Sequence, residues 1–321
     1  MLLVIVGHLP PLEFQPIHEI IYWFHMPLFF FLSGFLLKAP TSLGSAVVRR
    51  TRQLAIPYFC YLVILETPKY ISLINDSAHR LLRLQDLLLD FVWGGSRLKG
   101  PTVIFWFVPV LLFACIIGYF LLDSKRTTKM YVGLAAAIVV SVLGAPYVRN
   151  VPLPFDIGAV PYALAFLLFG VAYRSLQDKS RTWMAYAGAC LFALSIALNL
   201  SGRLQYLLDM KYCKFDMPAL SFIVGLAGIL TTTLVSKAAA RSVVLNKALG
   251  HVGRKSLTVM YLHGPIIFLL YFKVKALGPT TDTLQLLEHV LVLSLAGLLF
   301  PLAADYIFER FALTRKLFLT S

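Results

Sequence analysis

The sequence predicts an all-α, polytopic integral membrane protein of about ten transmembrane helices, the first of them incomplete. Three observations predict it. Of 321 residues, 59% are hydrophobic and only 14% charged, more apolar surface than a soluble chain of this length can cover. The mean hydropathy of +0.79 agrees. The apolar residues also fall in runs close to the ~20 residues that a helix needs to cross a bilayer core. This composition excludes secreted, fibrous and disordered classes. A net charge of +14 would suit nucleic acid. Basic residues lodged between long apolar runs are better explained as loops of a multi-span protein, so the expected partner is the lipid bilayer and not nucleic acid.

Taken in order, the first run, 1–8, is too short to span and ends at Leu9-Pro10-Pro11. It has no basic flank and no small-residue cleavage site, so it reads as the tail end of a helix rather than a signal peptide. Spans follow at about 20–37 and 53–72. The long loop after them carries Leu81, Leu82, Leu84, Leu87, Leu88, Leu89 and Phe91 in helical periodicity among Arg80, Arg83, Asp86 and Asp90, the pattern of a helix lying in the outer interface. Beyond Gly94-Gly95 come 103–122 and 130–148; beyond Val151-Pro152-Leu153-Pro154 come 159–175 and 183–200; then 216–236, 256–272 and 286–308. No repeat or low-complexity tract divides the chain, so 1–321 reads as one membrane-embedded domain. Cys60, Cys115 and Cys190 lie in apolar runs and Cys213 in a short loop, without C-x-x-C spacing. They read as buried small hydrophobes, with no disulfide framework and no metal site.

Lys and Arg set the orientation. If the first span runs outward, 18 of the 29 basic residues fall on inner segments and 11 on outer ones, which places both termini in the cytoplasm. Five of the outer ones, Lys69, Arg80, Arg83, Arg97 and Lys99, share the long loop, whose length weakens their influence.

The chemistry rests on histidines inside spans. His8 closes the first run and His25 lies five residues into the second, in Phe24-His25-Met26-Pro27-Leu28-Phe29-Phe30-Phe31-Leu32-Ser33-Gly34-Phe35. The short connection makes the two helices antiparallel neighbours, so the imidazoles should lie at similar depth. A titratable group in lipid faces the bundle interior and marks a functional site by default. Ser33, eight residues beyond His25, shares its face. Pro27 between them frees a carbonyl and suggests a kink at a cavity. A third intramembrane histidine, His263, shares a stripe with Ser256 and should lie nearer the midplane, with Gly264-Pro265 inviting a break. Trp106 reads as an outer-interface anchor of the aromatic belt; with His263 it is also a candidate for binding the acceptor.

Several of these strings resemble one family. Val4-Ile5-Val6-Gly7-His8, followed by the Phe24 to Phe35 string, looks like the opening of the acyltransferase family 3 membrane proteins, the O-acetyltransferases of cell-surface carbohydrates. Arg49 through Ile56-Pro57-Tyr58, Phe105-Trp106-Phe107-Val108-Pro109 and Leu249-Gly250 through His263 resemble later pieces of the family in the expected order. The resemblance implies transfer of an acetyl or similar acyl group from acyl-coenzyme A to a hydroxyl of a cell-surface or lipid-linked carbohydrate, in a cell membrane, most simply the bacterial inner membrane. It makes His8 the essential histidine, with His25 and Ser33 beside it. The family also carries a basic residue eleven positions before that histidine, which here would precede Met1; the functional protein is therefore expected to begin upstream.

A sugar hydroxyl needs a general base near neutral pH, a role that suits His8, with His25 orienting it or stabilising the oxyanion and Ser33 as a supporting partner. Arg49, Arg50, Arg52, Lys247, Arg254 and Lys255 form a candidate docking surface for the phosphates of the donor acetyl-CoA. The competing class is a proton-coupled secondary transporter, in which a paired acidic residue is expected within a span. Asp305 and Glu288 are the acidic residues placed in spans, both toward their ends. A non-catalytic scaffold is the third reading. On the residues alone enzyme and transporter stand level, and the resemblance favours the enzyme.

Overall fold

In a bilayer core no water can satisfy backbone N–H and C=O groups, so apolar runs of this length close their hydrogen bonds within helices. The computed structural model describes residues 1–12, 16–75, 80–122, 127–204, 208–275 and 283–319. Its helices are α1 (Leu2–Gly7), α2 (Pro16–Tyr22), α3 (His25–Leu36), α4 (Leu43–Asn75), α5 (Arg80–Trp93), α6 (Phe107–Leu121), α7 (Thr127–Val148), α8 (Val160–Ser175), α9 (Asp178–Leu200), α10 (Pro218–Ala239), α11 (Val243–Arg254), α12 (Ser256–Lys275), α13 (Thr283–Arg310) and α14 (Ala312–Phe318). Single 3-10 turns at Gly100–Trp106 and Pro154–Ala159 lead into α6 and α8. A two-residue hairpin, β1 (Leu208–Asp209) and β2 (Lys214–Phe215), lies between α9 and α10.

Among the described residues eight helical stretches are long and apolar enough to cross a membrane. They coincide with eight of the ten expected spans. The other two differ. The six residues of α1 remain a stub. α4 runs for 33 residues and carries Arg49, Arg50, Arg52, Glu66 and Lys69, so it starts ten residues before the expected span and is less apolar.

The span expected at 20–37 is interrupted. α2 ends at Tyr22 and α3 restarts at His25, with Phe24 at φ −141° and ψ −15°. Pro27 sits in the first turn of α3, where a missing N–H costs little, and it removes the helical donor from the Trp23 carbonyl. The bend thus falls before Pro27, at the site itself. The other internal prolines, Pro57, Pro68, Pro146, Pro265 and Pro301, lie inside continuous helices. The break expected at Gly264-Pro265 is absent: α12 continues through Pro265 as one helix.

α3 packs against α8 at very short range through glycine. A Cβ on Gly34 would lie 1.8 Å from the Leu167 carbonyl oxygen, and one on Gly170 2.0 Å from that of Phe31. Bare backbone lets the two helices touch, as small residues do in membranes. Arg174 of α8 then donates from Nη1 to the carbonyls of Phe35 and Leu37, closing the C-terminal end of α3 that would otherwise expose unpaired acceptors. α1 is held by a smaller cluster, Ile5 and Leu9 with Val259, Ile267 and Leu293 from α12 and α13.

The loops at the His25 end of α3 interlock. Trp93 Nε1 donates to Pro152 O at 2.8 Å, Ser96 N to Asp156 Oδ1 at 2.9 Å, and Lys211 Nζ to Leu98 O at 2.8 Å. Four non-glycine residues with positive φ, Asn150, Phe155, Asp156 and Cys213, fall in these loops. α5 has the amphipathic form expected for 80–91: Leu87 is buried, while Leu81, Leu84, Leu88, Leu89 and Val92 are exposed. Of the cysteines, Cys115 and Cys213 are buried as expected, Cys60 is half-buried and Cys190 is exposed on α9, an apolar side chain on a surface whose solvent is lipid.

Candidate active site

Two helix ends and the interior of a third helix bring three imidazoles together. His8 caps α1, His25 opens α3 and His263 lies in α12. The His8 ring centroid lies 5.9 Å from that of His25 and 5.2 Å from that of His263, both edge-on. His263, expected nearer the midplane than His8, meets it ring to ring.

Each ring is fixed by its own helix in the same way. Nδ1 of His8 bonds to Val4 O at 2.8 Å, that of His25 to Ile21 O at 2.9 Å and that of His263 to Val259 O at 2.9 Å. A carbonyl oxygen only accepts, so in each ring Nδ1 carries the proton and donates it. In the neutral ring Nε2 is then the basic nitrogen, which is the tautomer a general base needs. For His25 this bond crosses the bend between α2 and α3, so the bend also orients the ring. Nε2 of His263 is buried without a hydrogen-bond partner among the described residues, an unusual state for a polar atom in a packed interior.

His8 and His25 open onto a cavity of about 120 Å³ lined also by Tyr22, Met26, Ile104, Trp106 and the hairpin residues Asp209 to Tyr212. Trp106 is only 6% exposed. The interfacial-anchor reading is corrected: the 3-10 turn before α6 rotates the indole inward, and it forms the cavity wall beside the histidines.

A second system of cavities enters from the opposite end of α3. The larger, about 810 Å³, is lined by Ser33, Lys38, Arg49, Arg50, Gln53, Gly253 and Ser256 with Leu28, Phe29, Leu32 and Tyr119. A narrower extension of about 290 Å³ shares Phe29, Ser33, Arg50, Gln53 and Ser256 and reaches Leu54, Phe107, Leu111 and Met260. Phe107 follows Trp106 in sequence, while Phe29 and Met260 lie one turn along their helices from His25 and His263. The tip of this extension therefore lies about one helical turn from residues of the histidine cluster, whose imidazoles do not line it.

Ser33 lines this second system and not the histidine cavity. Eight residues of helix, about 12 Å, separate it from His25. The basic residues divide in three. Arg49 and Arg50 line the large cavity, and Arg50 Nη2 also donates to Cys115 Sγ at 3.4 Å. Arg52 and Lys247 are exposed and line neither. Arg254 and Lys255 sit on a separate cavity, where Lys255 is held by Asp305 at 2.5 Å and by Glu309. One acidic residue was missed within a span. Glu66 in α4 is 1% exposed, accepts from Thr102 Oγ1 at 2.7 Å and pairs with Lys69, so it adds to Asp305 and Glu288. Tyr22, Met26, Lys211 and Tyr212 also line the histidine cavity unannounced; nothing in their local pattern distinguishes them from other loop or span residues.

The comparisons with known proteins follow this geometry. Residues 1–306 match the family described as an acyltransferase domain, that of acyltransferase family 3. The chain is similar to nodulation protein NolL of Sinorhizobium fredii (strain NBRC 101917 / NGR234), 25% identical over 209 residues. That match covers 60% of this chain and 51% of the relative, so the chain spans about half the length of the curated relative it matches. No solved structure matches. With the family match running over nearly the whole chain and eight helices among the described residues long and apolar enough for a bilayer, the protein has the helices of a multi-pass membrane protein and belongs to acyltransferase family 3.

Proposed function

We propose that the protein transfers an acetyl or similar acyl group from acyl-coenzyme A to a hydroxyl of a cell-surface or lipid-linked carbohydrate. The observation that supports this reading is the pair of cavities along α3: an aromatic-lined one that holds His8 and His25 at the hairpin end and a basic one at the Arg49 end. In a bacterial inner membrane with both termini cytoplasmic, the basic cavity faces the donor and the hairpin cavity faces the acceptor. Lys38, Arg49 and Arg50 have the charge to bind coenzyme A phosphates, and the narrow extension past Ser33 has the direction that a pantetheine arm needs. Tyr22, Trp106 and Tyr212 offer ring faces to the apolar side of a sugar.

His8 Nε2 takes the proton of the acceptor hydroxyl as its oxygen attacks the thioester carbonyl. The tetrahedral intermediate collapses with cleavage of the C–S bond, and the coenzyme A thiolate leaves and takes up the proton. His25 lies at the distance to support the oxyanion once protonated or to hold the hydroxyl. Ser33, about 12 Å away along α3, fits the path of the donor better than the reacting atoms. The test uses membranes containing the protein, given isotope-labelled acetyl-CoA and candidate glycans, with the ester followed by mass. His8→Ala is expected to abolish transfer without loss of membrane insertion, and His25→Ala to reduce it. Full transfer by well-inserted His8→Ala protein would overturn the assignment.

A further inference from the structure

Lys211 is a buried lysine that the proposed transfer does not use. It lies in the turn of the hairpin, 6% exposed, on the wall of the cavity that holds His8 and His25. Its ammonium has three protons to donate, and one goes to Leu98 O at 2.8 Å. No carboxylate among the described residues lies within ion-pair distance of it. The two carboxylates that act on its charge, Asp156 and Asp209, bond to backbone amides through one oxygen each: Asp156 Oδ1 accepts from Ser96 N while its Oδ2 is buried without a partner among the described residues, and Asp209 Oδ1 accepts from Lys211 N at 3.0 Å and Tyr212 N at 3.4 Å.

Burial draws the Lys211 ammonium down to about 8, and Asp156 and Asp209 work against that while Lys99 adds to it, so the group is charged near neutral pH. If its role were only to tie the hairpin to Leu98, a neutral donor would do so at lower cost, since a buried charge without a close counter-charge is expensive. The neighbouring Tyr212 ring has Lys211 Nζ and Lys214 Nζ each 5.2 Å from its centre. The cavity wall therefore presents the Lys211 ammonium beside the Tyr212 ring, and Lys214 adds a second positive charge next to that ring.

We propose that Lys211 recognises the acceptor, and that the acceptor bears an anionic group, a carboxylate or a phosphate, on the sugar residue whose hydroxyl is acylated. This rests on the acyl-transfer reading of the histidine cavity. Lys211, His8 and His25 all line this one small cavity, so the anion at Lys211 and the hydroxyl at His8 or His25 belong to one sugar residue and not to distant parts of a polymer.

The experiment compares kcat/KM in proteoliposomes supplied with acetyl-CoA and three acceptors: methyl glucuronide, glucose 6-phosphate and methyl glucoside. The wild type is expected to favour at least one of the two anions over the neutral sugar by tenfold or more, and the arm that wins identifies carboxylate or phosphate. Lys211→Met is expected to lose that preference through a raised KM, and Lys211→Arg to keep most of it. Equal use of all three acceptors by the wild type overturns the proposal, whether or not the Met variant folds; so does a well-inserted Met variant that keeps the preference. Binding of the same three compounds without donor, followed by tryptophan fluorescence, separates the two levels of inference. Transfer to none of them together with Lys211-dependent anion binding counts against acyl transfer and for the recognition site. Absence of anion binding by the wild type overturns the site.

Discussion

Replacing Gly34 by alanine tests whether contact between α3 and α8 holds the site in place. The added Cβ would lie 1.8 Å from Leu167 O, 2.6 Å from its carbonyl carbon and 2.9 Å from its Cα. All three neighbours are backbone, so no side chain can swing away. An ordinary C···O approach is about 3.3–3.6 Å, and the helices must part by on the order of 1.5 Å to restore it. Overpacking of this kind costs about 1–3 kcal/mol or more. The shift also acts on function, because α3 begins at His25, and misplacement of a reacting group by about 1 Å can cost roughly 10²-fold in rate. Gly34→Ala is therefore expected to lower the thermal midpoint in detergent and reduce acyl transfer by about two orders of magnitude. Gly144→Ala in α7 is the control. Its Cβ meets nothing within 4 Å, and relief of glycine's backbone entropy should raise stability by about 0.4–1 kcal/mol. A Gly34→Ala protein with wild-type midpoint and rate would refute the argument that this contact sets the position of α3.

Arg50→Gln is expected to raise KM for acetyl-CoA by about 10-fold or more, the loss of one charge-assisted hydrogen bond to phosphate, whereas Arg52→Gln should change it less than twofold because that side chain lines neither cavity; equal effects in initial-rate measurements would count against the assignment. For topology, a cysteine at exposed Ser45 should be protected from an impermeant thiol reagent applied outside intact cells and one at exposed Ser201 should label, in a background without the native cysteines; the reverse would put the basic cavity on the wrong side for cytoplasmic donor. Lys211 titrates at about 8 in the folded protein against 10.5 for the free side chain. The fold binds fewer protons than the unfolded chain between those values, so stability rises with pH across that window, by roughly 3 kcal/mol in total. With Asp156, Asp209 and Lys99 unchanged, thermal midpoints at pH 7.5 and 9.5 should show about 2 kcal/mol of this rise in the wild type and lose that share in Lys211→Met.

Much of the protein was legible in its sequence. Eight spans, the amphipathic helix within the long loop and the family follow from runs of apolar residues and short strings, because in a bilayer length and hydropathy nearly suffice to define a helix. The resemblance at His8 and at the Phe24 to Phe35 string favours an acyltransferase over a carrier, which the histidines alone leave level. Periodicity placed Ser33 on the face of His25 but said nothing of the cavities each would line, because a stripe runs the full length of a helix and a cavity does not.

What only the tertiary structure decided lies between elements distant in the chain. His8 meets His263 because Ile5 and Leu9 pack with Val259, Ile267 and Leu293. Trp106 turns inward on a 3-10 turn. Lys211 reaches the histidine cavity on a hairpin pinned to Leu98, and the basic residues that looked like one surface divide among separate places. Local pattern states which face of a helix is apolar, but not which helix it will face. That choice depends on close approaches such as Gly34 on Leu167, where the shape of two particular surfaces settles the pairing.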